Sequence, residues 1–167
     1  MKHLKIIICI LIILNLFGCT NYEYNGKENI INENKIVIDK IHINHKYTIS
    51  SIDKKVNGIV MFKEYGRPNI DDSNTIIGAH SGYGKNVYFN DLNRLEVDDS
   101  IKLYFDNKLY EYSVTEIKEV DDTDLTILNS SNESILTLLT CKIKDNTKRI
   151  VVIAKLNIDL WHNVIYN

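Results

Sequence analysis

The chain has 167 residues, of which 44% are hydrophobic and 25% are charged, as expected of one globular domain with short appendages. Its 20 basic and 22 acidic residues give a net charge of −2. No basic stripe with interleaved aromatic residues is present, which argues against a nucleic-acid partner.

The N-terminal residues have the pattern of an export signal. Basic residues precede an apolar run, Ile6–Phe17, that is shorter than the roughly 20 residues of a membrane-spanning helix. The run ends in Gly18-Cys19, which resembles a bacterial lipobox in which Cys19 is lipidated; the alternative is an uncleaved membrane anchor. Both interpretations of residues 1–19 place the rest of the chain at the extracellular face of the cytoplasmic membrane, held there by its N-terminus.

The remaining chain divides into a tether and one domain. Residues 20–34 are polar and predict a solvated tether, and residues 35–167 are the predicted catalytic domain. From Ile36 onward, short β-rich runs alternate with polar turns, which predicts a mainly β protein. We expect a closed β-barrel of about eight strands with one or two short helices. The best helical candidate is Val87–Leu95, whose apolar residues fall loosely on one face.

Two hairpins are predicted in the second half of the domain. The first pairs Ile101–Phe105 with Leu109–Glu119, and the second pairs Ile135–Cys141 with Arg149–Leu156 around a polar loop, residues 142–148. If the second pair is antiparallel, Cys141 and Arg149 lie at the same end and are near neighbours. A thiolate is favoured beside a cation, so this end of the hairpin can hold a reactive cysteine.

Cys141 and His80 are the chemically interesting residues of the domain. Cys141 is the lone cysteine after the N-terminal region, so it is either a buried small hydrophobe or a reactive thiol. His80 ends another apolar strand and precedes a glycine-rich turn, and cysteine catalysis needs a histidine near the sulfur in space. The alternative for His80 is a strand-end histidine that bonds a backbone carbonyl.

Several motifs resemble those of sortases. Thr137, Leu138, Thr140 and Cys141 match the sortase strand motif T-L-x-T-C position by position. The other matching segments are Gly78–Ser81 for the histidine motif, Val87–Leu92 for the short helix, Tyr110–Val114 for the Y-x-Y-x-V strand and Arg149–Ala154 for the strand that opens with the essential arginine. All five occur in the family's order between about residues 36 and 156, so the chain is identified as resembling the sortase family.

This resemblance implies a cysteine transpeptidase. Cys141 would be the nucleophile, His80 its acid/base partner and Arg149 the cation that holds the substrate carbonyl or oxyanion, with Thr140 helping to bind substrate. The implied donor is the sorting-signal peptide of a secreted protein, often of the L-P-x-T-G kind, and the implied acceptor is the amine of a peptidoglycan precursor. No cofactor is implied.

Departures from the family pattern leave the subclass open. Ile38–Ile41 lacks the proline of the usual I-P-K-I strand, the segment 120–133 is too short for a class B insertion, and no lid motif of the pilus type precedes the domain.

Other functions remain as alternatives. A sortase-like barrel could bind peptide or cell-wall material without turnover, and a hydrolase could use Ser81. Asp121, Asp122 and Asp124 could contribute to a calcium site, although an acidic run in a polar loop is usually only solvated.

Overall fold

The computed structural model describes residues 33–157. Eight strands lie in that range: β1 (Lys35–Ile38), β2 (Ile43–Ser50), β3 (Ile59–Phe62), β4 (Asn74–Ala79), β5 (Ser100–Phe105), β6 (Lys108–Asp121), β7 (Ile135–Lys142) and β8 (Asp145–Leu156). Three 3-10 helices, Asp39–Ile41, Leu92–Arg94 and Thr126–Leu128, are its helical elements. No helix between residues 33 and 157 has the length and apolar character needed to cross a membrane. The predicted export signal, Cys19 and most of the tether lie outside the described residues.

The strands close into one barrel in the order β1-β2-β3-β4-β7-β8-β6-β5, and β5 pairs with β1. This confirms the predicted eight-stranded barrel. Pairing is antiparallel except between β2 and β3 and between β4 and β7. The two strands of a parallel pair end at the same edge of the sheet, so the chain between them must cross back to the other edge. The chain between β4 and β7 makes that crossing, and the residues after β4 meet the end of β7.

Alternating side chains give the barrel wall two apolar faces. Inward residues of β7 and β8, such as Leu136, Leu138 and Val152, are fully buried in the main core. A second cluster lies on the outside of β3, β4 and β7 and is called here the outer apolar patch. It consists of Val60, Phe62 and Ile76, with Val56, Tyr65, Leu128 and Leu139 packed against them.

Gly78 allows the outer apolar patch to close over β4. A Cβ atom on Gly78 would lie 2.9 Å from the ring of Phe62, closer than side chains normally approach. Because glycine has no Cβ, the Phe62 ring can lie directly against the strand.

The predicted helix Val87–Leu95 is wrong for most of its length. Val87 forms an isolated parallel bridge with His80, and the amides of Tyr88 and Phe89 both donate to the His80 carbonyl, at 3.0 and 3.2 Å. These bonds hold the segment against the end of β4, and only Leu92–Arg94 forms a single 3-10 turn. Phe89, Leu92 and Leu95 are still buried in the core, so the apolar pattern predicted their burial correctly but not the conformation of the segment.

Both predicted hairpins are confirmed, with tighter turns than expected. Asp106 and Asn107 have φ of 51° and 61°, values typical of the two-residue turns that match strand twist. In the second hairpin β8 begins at Asp145, so much of the predicted polar loop is strand. The register shifts after the Cys141–Arg149 pair, and residues 146–148 have no partner on β7.

Candidate active site

The parallel β4–β7 pair brings His80 to the end of the strand that carries Cys141. Gly78 pairs with Leu139, and both positions face outward. His80 lies two residues after Gly78, and Cys141 lies two residues after Leu139. Because side chains alternate along a strand, both continue the same outward face.

The antiparallel β7–β8 pair brings Arg149 to the same place. Cys141 and Arg149 are directly opposite each other in the ladder. Side chains of directly opposed residues lie on one face of the sheet, with Cβ atoms about 5 Å apart. The three residues predicted as catalytic thus converge at one edge of the barrel, on its outer side.

Two hydroxyl groups join the ends of β4 and β7. Thr140 is 3% exposed, and its Oγ1 donates to the carbonyl of Ala79 at 2.8 Å. In the opposite direction, Ser81 Oγ donates to the carbonyl of Cys141. Each residue that flanks His80 is therefore bonded to the strand of the nucleophile. The contact of Thr140 with substrate stays a prediction. In this structure its hydroxyl proton is donated to the Ala79 carbonyl.

His80 is exposed and bonds a backbone carbonyl through one ring nitrogen. Its Nε2 lies 3.0 Å from the oxygen of Val56, in the loop between β2 and β3. A carbonyl oxygen can only accept, so Nε2 carries a proton. In the neutral ring Nδ1 is then the basic nitrogen. The carbonyl bond considered as an alternative role for His80 is present, and it leaves Nδ1 for proton transfer.

Arg149 is held at the β7–β8 turn. Its Nη1 donates to the carbonyls of Asn146 and Lys148, at 2.8 and 3.1 Å, and Nη2 lies 3.7 Å from Oδ2 of Asp122. The side chain is 25% exposed. A guanidinium has five N–H donors, so Nε and Nη2 keep donors for a substrate oxygen.

Cys141 is a free, half-buried thiol at the rim of a small pocket. The pocket has a volume of about 270 Å³ and opens at the end of the barrel; its walls include Ser81, Phe89, Asn93, Glu119, Cys141 and Lys142. A larger cavity of about 600 Å³ lies beside the segment that joins β6 and β7, and Cys141 does not line it.

The three aspartates considered for calcium each contact another protein group. Asp121 pairs with Lys148 at 2.7 Å, and Asp122 faces Arg149. Asp124 accepts hydrogen bonds from the hydroxyl and the amide of Thr126, and these bonds lower the pKa of its carboxyl group. Between residues 33 and 157, no three His, Cys, Asp or Glu side chains are grouped so that they could hold a metal ion.

Sequence reasoning missed three features of the site. The role of the Val56 carbonyl has no sequence signal, because any residue can supply a backbone oxygen. Ser81 was considered only as a rival nucleophile, yet its hydroxyl bonds the Cys141 carbonyl and not a base. Glu119 and Lys142, which form an ion pair in the pocket, are 23 residues apart and share no motif.

Comparisons with known proteins agree with this geometry. Residues 31–157 match the family model of the sortase domain. Sortase A of Bacillus anthracis is 36% identical over 84 residues, which are 50% of this chain and 40% of that protein. The chain spans less than half the length of the curated relatives it matches.

Solved sortases also share the fold. Sortase C1 of Streptococcus agalactiae superposes with a TM-score of 0.68 at 27% identity, over 74% of this chain and 66% of that one. A sortase D5 transpeptidase of Clostridium perfringens gives a TM-score of 0.65 at 28% identity, over 75% of this chain and 78% of that one. Because the family model covers well over half of its length, the protein belongs to the sortase family.

Proposed function

We propose that this protein is a cysteine transpeptidase that cleaves an LPXTG-like sorting motif in secreted proteins and transfers the product to a cell-wall amine. The observation that carries the proposal is the convergence of Cys141, Arg149 and His80 at the ends of β7, β8 and β4. These residues supply a nucleophile, an oxyanion donor and an acid/base group on one face.

In the first step, the Cys141 thiolate attacks a backbone carbonyl carbon of the sorting motif. A C–S bond forms, and Arg149 donates hydrogen bonds to the oxygen as it gains charge. A donor placed in this way is commonly worth about 3 kcal/mol of transition-state stabilisation. The C–N bond then breaks as protonated His80 gives its proton to the leaving amine, which leaves a thioacyl enzyme.

In the second step, an acceptor amine attacks the thioester carbonyl. The new C–N bond forms, neutral His80 takes a proton from the amine, and the C–S bond breaks to restore Cys141. The hydrogen bond from Nε2 of His80 to Val56 fixes the ring in both steps and leaves Nδ1 to exchange the proton. Water in place of the amine gives hydrolysis.

The outer apolar patch supports binding of the donor peptide. It lies on the same outer face as Cys141, and Leu139 of the patch is two residues before the nucleophile. Apolar side chains of a sorting motif would bury surface there. Leu128, from the segment between β6 and β7, packs on the patch and would have to shift when peptide binds.

We further propose that residues 1–19 fix the protein to the extracellular face of the cytoplasmic membrane and that residues 20–34 are the tether of the catalytic domain, 35–167. The basic start and short apolar run support this proposal. Mass spectrometry of the N-terminus from a membrane fraction tests it. A lipid-modified Cys19 indicates a lipoprotein, an intact Met1 indicates an uncleaved anchor, and recovery in the cytosolic fraction contradicts both.

The reaction as proposed needs no metal cofactor. The support is that Asp121, Asp122 and Asp124 each have a partner, Lys148, Arg149 and Thr126 respectively. We expect the turnover rate to be equal in EDTA and in added calcium. A rise of several-fold with calcium would contradict this.

The decisive experiment is mass spectrometry of the full chain in detergent, incubated with a pool of Leu-Pro-Xaa-Thr-Gly peptides and glycinamide, beside a Cys141→Ala control. We expect an acyl-enzyme mass and an amide product that both disappear in the control. Absence of any adduct, together with slow alkylation of Cys141 by iodoacetamide, would favour a peptide-binding module without turnover.

A further inference from the structure

The pocket at the barrel end, called here the barrel-mouth pocket, is lined by Cys141 and by none of the residues of the outer apolar patch. Two of its residues, Thr140 and Ile150, are paired across the inward face of β7 and β8. Glu119 pairs with Ile150 on the next strand, so its position has the inward alternation too. Cys141 therefore borders both the outer face, where His80 and Arg149 lie, and the mouth of the barrel.

The barrel-mouth pocket contains an ammonium group held by a carboxylate. Lys142 Nζ donates to Glu119 Oε1 at 2.9 Å and lies 2.8 Å from Oε2. Lys142 directly follows the nucleophile in sequence, and both residues line the barrel-mouth pocket. The two side chains are 40% and 39% exposed. An ion pair with that exposure is weak, and an incoming ammonium can replace Lys142.

The polarity of the pocket distinguishes it from the outer apolar patch. Asn93, in the 3-10 turn Leu92–Arg94, also lines the pocket and is exposed. Ser81 and Asn90 add further polar atoms, while Phe89 contributes an apolar base. This combination fits a small polar group with a positive charge better than it fits an apolar peptide side chain.

We propose that the barrel-mouth pocket is the acceptor subsite and that Glu119 binds the primary ammonium group of the acceptor. This inference rests on the proposed function. The donor peptide would occupy the outer face, and the acceptor would reach the thioester from the barrel mouth. By microscopic reversibility, the leaving amine of the first step departs through the same pocket.

The chemistry balances with this assignment. The acceptor binds as an ammonium ion at Glu119 and loses one proton to solvent, which frees its lone pair. Nitrogen attacks the thioester carbon, the C–N bond forms and the C–S bond breaks. The second proton passes through His80 to the departing Cys141 sulfur. The products are an amide, the free thiol and one released proton.

The test uses the full chain in detergent and forms the acyl-enzyme from the Leu-Pro-Xaa-Thr-Gly pool. It measures the fraction of acyl-enzyme that reacts with an added nucleophile and the fraction that is hydrolysed by water. Glycinamide carries an ammonium group at neutral pH, whereas hydroxylamine is uncharged. In Glu119→Gln we expect the dependence of amide formation on glycinamide concentration to fall about three- to tenfold, with the reaction of hydroxylamine unchanged within about twofold. The acylation rate should fall by a similar factor, because the leaving amine departs through the same pocket. A merely structural effect would lower the reaction of both nucleophiles.

Two further variants sharpen the result. Glu133→Gln is a matched control, because Glu133 also pairs with a lysine, Lys155, at 2.7 Å but lies at the far end of β7. It should behave as wild type. Lys142→Met removes the internal competitor and should raise the efficiency with glycinamide about threefold.

The outcomes separate the two levels of the proposal. Equal glycinamide efficiency in wild type and Glu119→Gln, or an equal loss with both nucleophiles, would overturn the acceptor subsite while the transpeptidase stands. A fall in glycinamide efficiency in Lys142→Met would also overturn it. If the wild type forms no acyl-enzyme, the transpeptidase and the acceptor subsite are both wrong.

Discussion

At the β4–β7 junction two hydroxyl groups cross between parallel strands, whereas at the β7–β8 junction Arg149 contacts carbonyls of its own turn and one exposed carboxylate. The first junction is closed: Thr140 is 3% exposed and bonded to Ala79. The second is open: Arg149 is 25% exposed and its partner Asp122 is 40% exposed. One side of Cys141 is therefore fixed by buried bonds, and the other is held by contacts that water can replace.

This difference assigns separate tasks to the two junctions. Buried hydrogen bonds are expensive to leave unmade, so the β4–β7 junction should contribute both to stability and to the placement of His80. Exposed ion pairs contribute little to stability, so the side chain of Arg149 can be presented to a substrate without its ion pair adding much to the stability of the barrel. Substitutions on the two sides should separate rate from stability.

The largest effect is expected for Arg149→Ala. Loss of the oxyanion donor should lower the acylation rate about a hundredfold to a thousandfold, while the free energy of unfolding changes by less than about 1 kcal/mol. Quenched time courses of acylation measure the rate, and urea denaturation measures the free energy of unfolding. Lys148→Ala, which removes the neighbouring cation, should keep the wild-type rate. A large loss of stability in Arg149→Ala would break the contrast between the junctions.

Thr140→Val should lower both the free energy of unfolding and the acylation rate. The change keeps the shape but leaves the buried carbonyl of Ala79 without its donor, at a cost of about 1–3 kcal/mol in the free energy of unfolding. Because His80 follows Ala79, we expect the acylation rate to fall about tenfold. Thr140→Ser, which keeps the hydroxyl group, should retain most of the stability and most of the acylation rate of the wild type.

Thr137→Val is the matched control for Thr140→Val. Thr137 is also buried on β7, and its hydroxyl donates to Asn74 Oδ1 at 2.8 Å. This variant should lose similar stability but keep the acylation rate. Equal rate losses in Thr137→Val and Thr140→Val would show that β7 transmits any destabilisation to Cys141, against a specific role for the Ala79 bond.

Ser81→Ala should have a smaller effect of the same kind. The half-buried hydroxyl of Ser81 bonds the Cys141 carbonyl, and its loss should cost about 1 kcal/mol and lower the acylation rate about threefold. Ser134→Ala removes a hydroxyl near the other end of β7, where Ser134 accepts from the amide of Asp72, and should leave the rate unchanged. An inactive but folded Ser81→Ala protein would contradict this and return Ser81 to consideration as a nucleophile.

The smallest effect is expected for Asp122→Asn. Its oxygen lies 3.7 Å from Arg149 in an exposed pair, so the free energy of unfolding should change by less than about 1 kcal/mol. We expect the acylation rate to change less than about twofold, and any change to disappear at high salt. A tenfold loss would mean that Asp122 orients Arg149, and that the β7–β8 junction is more rigid than its exposure indicates.

Much of the barrel and one half of the site follow from local sequence. Alternating apolar residues and short turns specify the β5–β6 and β7–β8 hairpins, because neighbouring strands with a tight turn have few possible registers. The pairing of Cys141 with Arg149 is of this kind. The sequence also marks His80 by its place at a strand end before a glycine-rich turn.

The sequence by itself thus determined the strands, the β7–β8 register and the residue types of the site, since these depend on side-chain alternation and short-range turns. Only the tertiary structure decided that β4 lies parallel to β7, that Thr140 and Ser81 join their ends, and that Glu119 meets Lys142. It also decided that Val87–Leu95 is held to His80 and is not a helix. Thr140 and Ala79 are 61 residues apart, and no local pattern encodes the register of strands joined by so long a crossover. That register is fixed by burial of both faces of β4 and β7, which exists only once the barrel has closed.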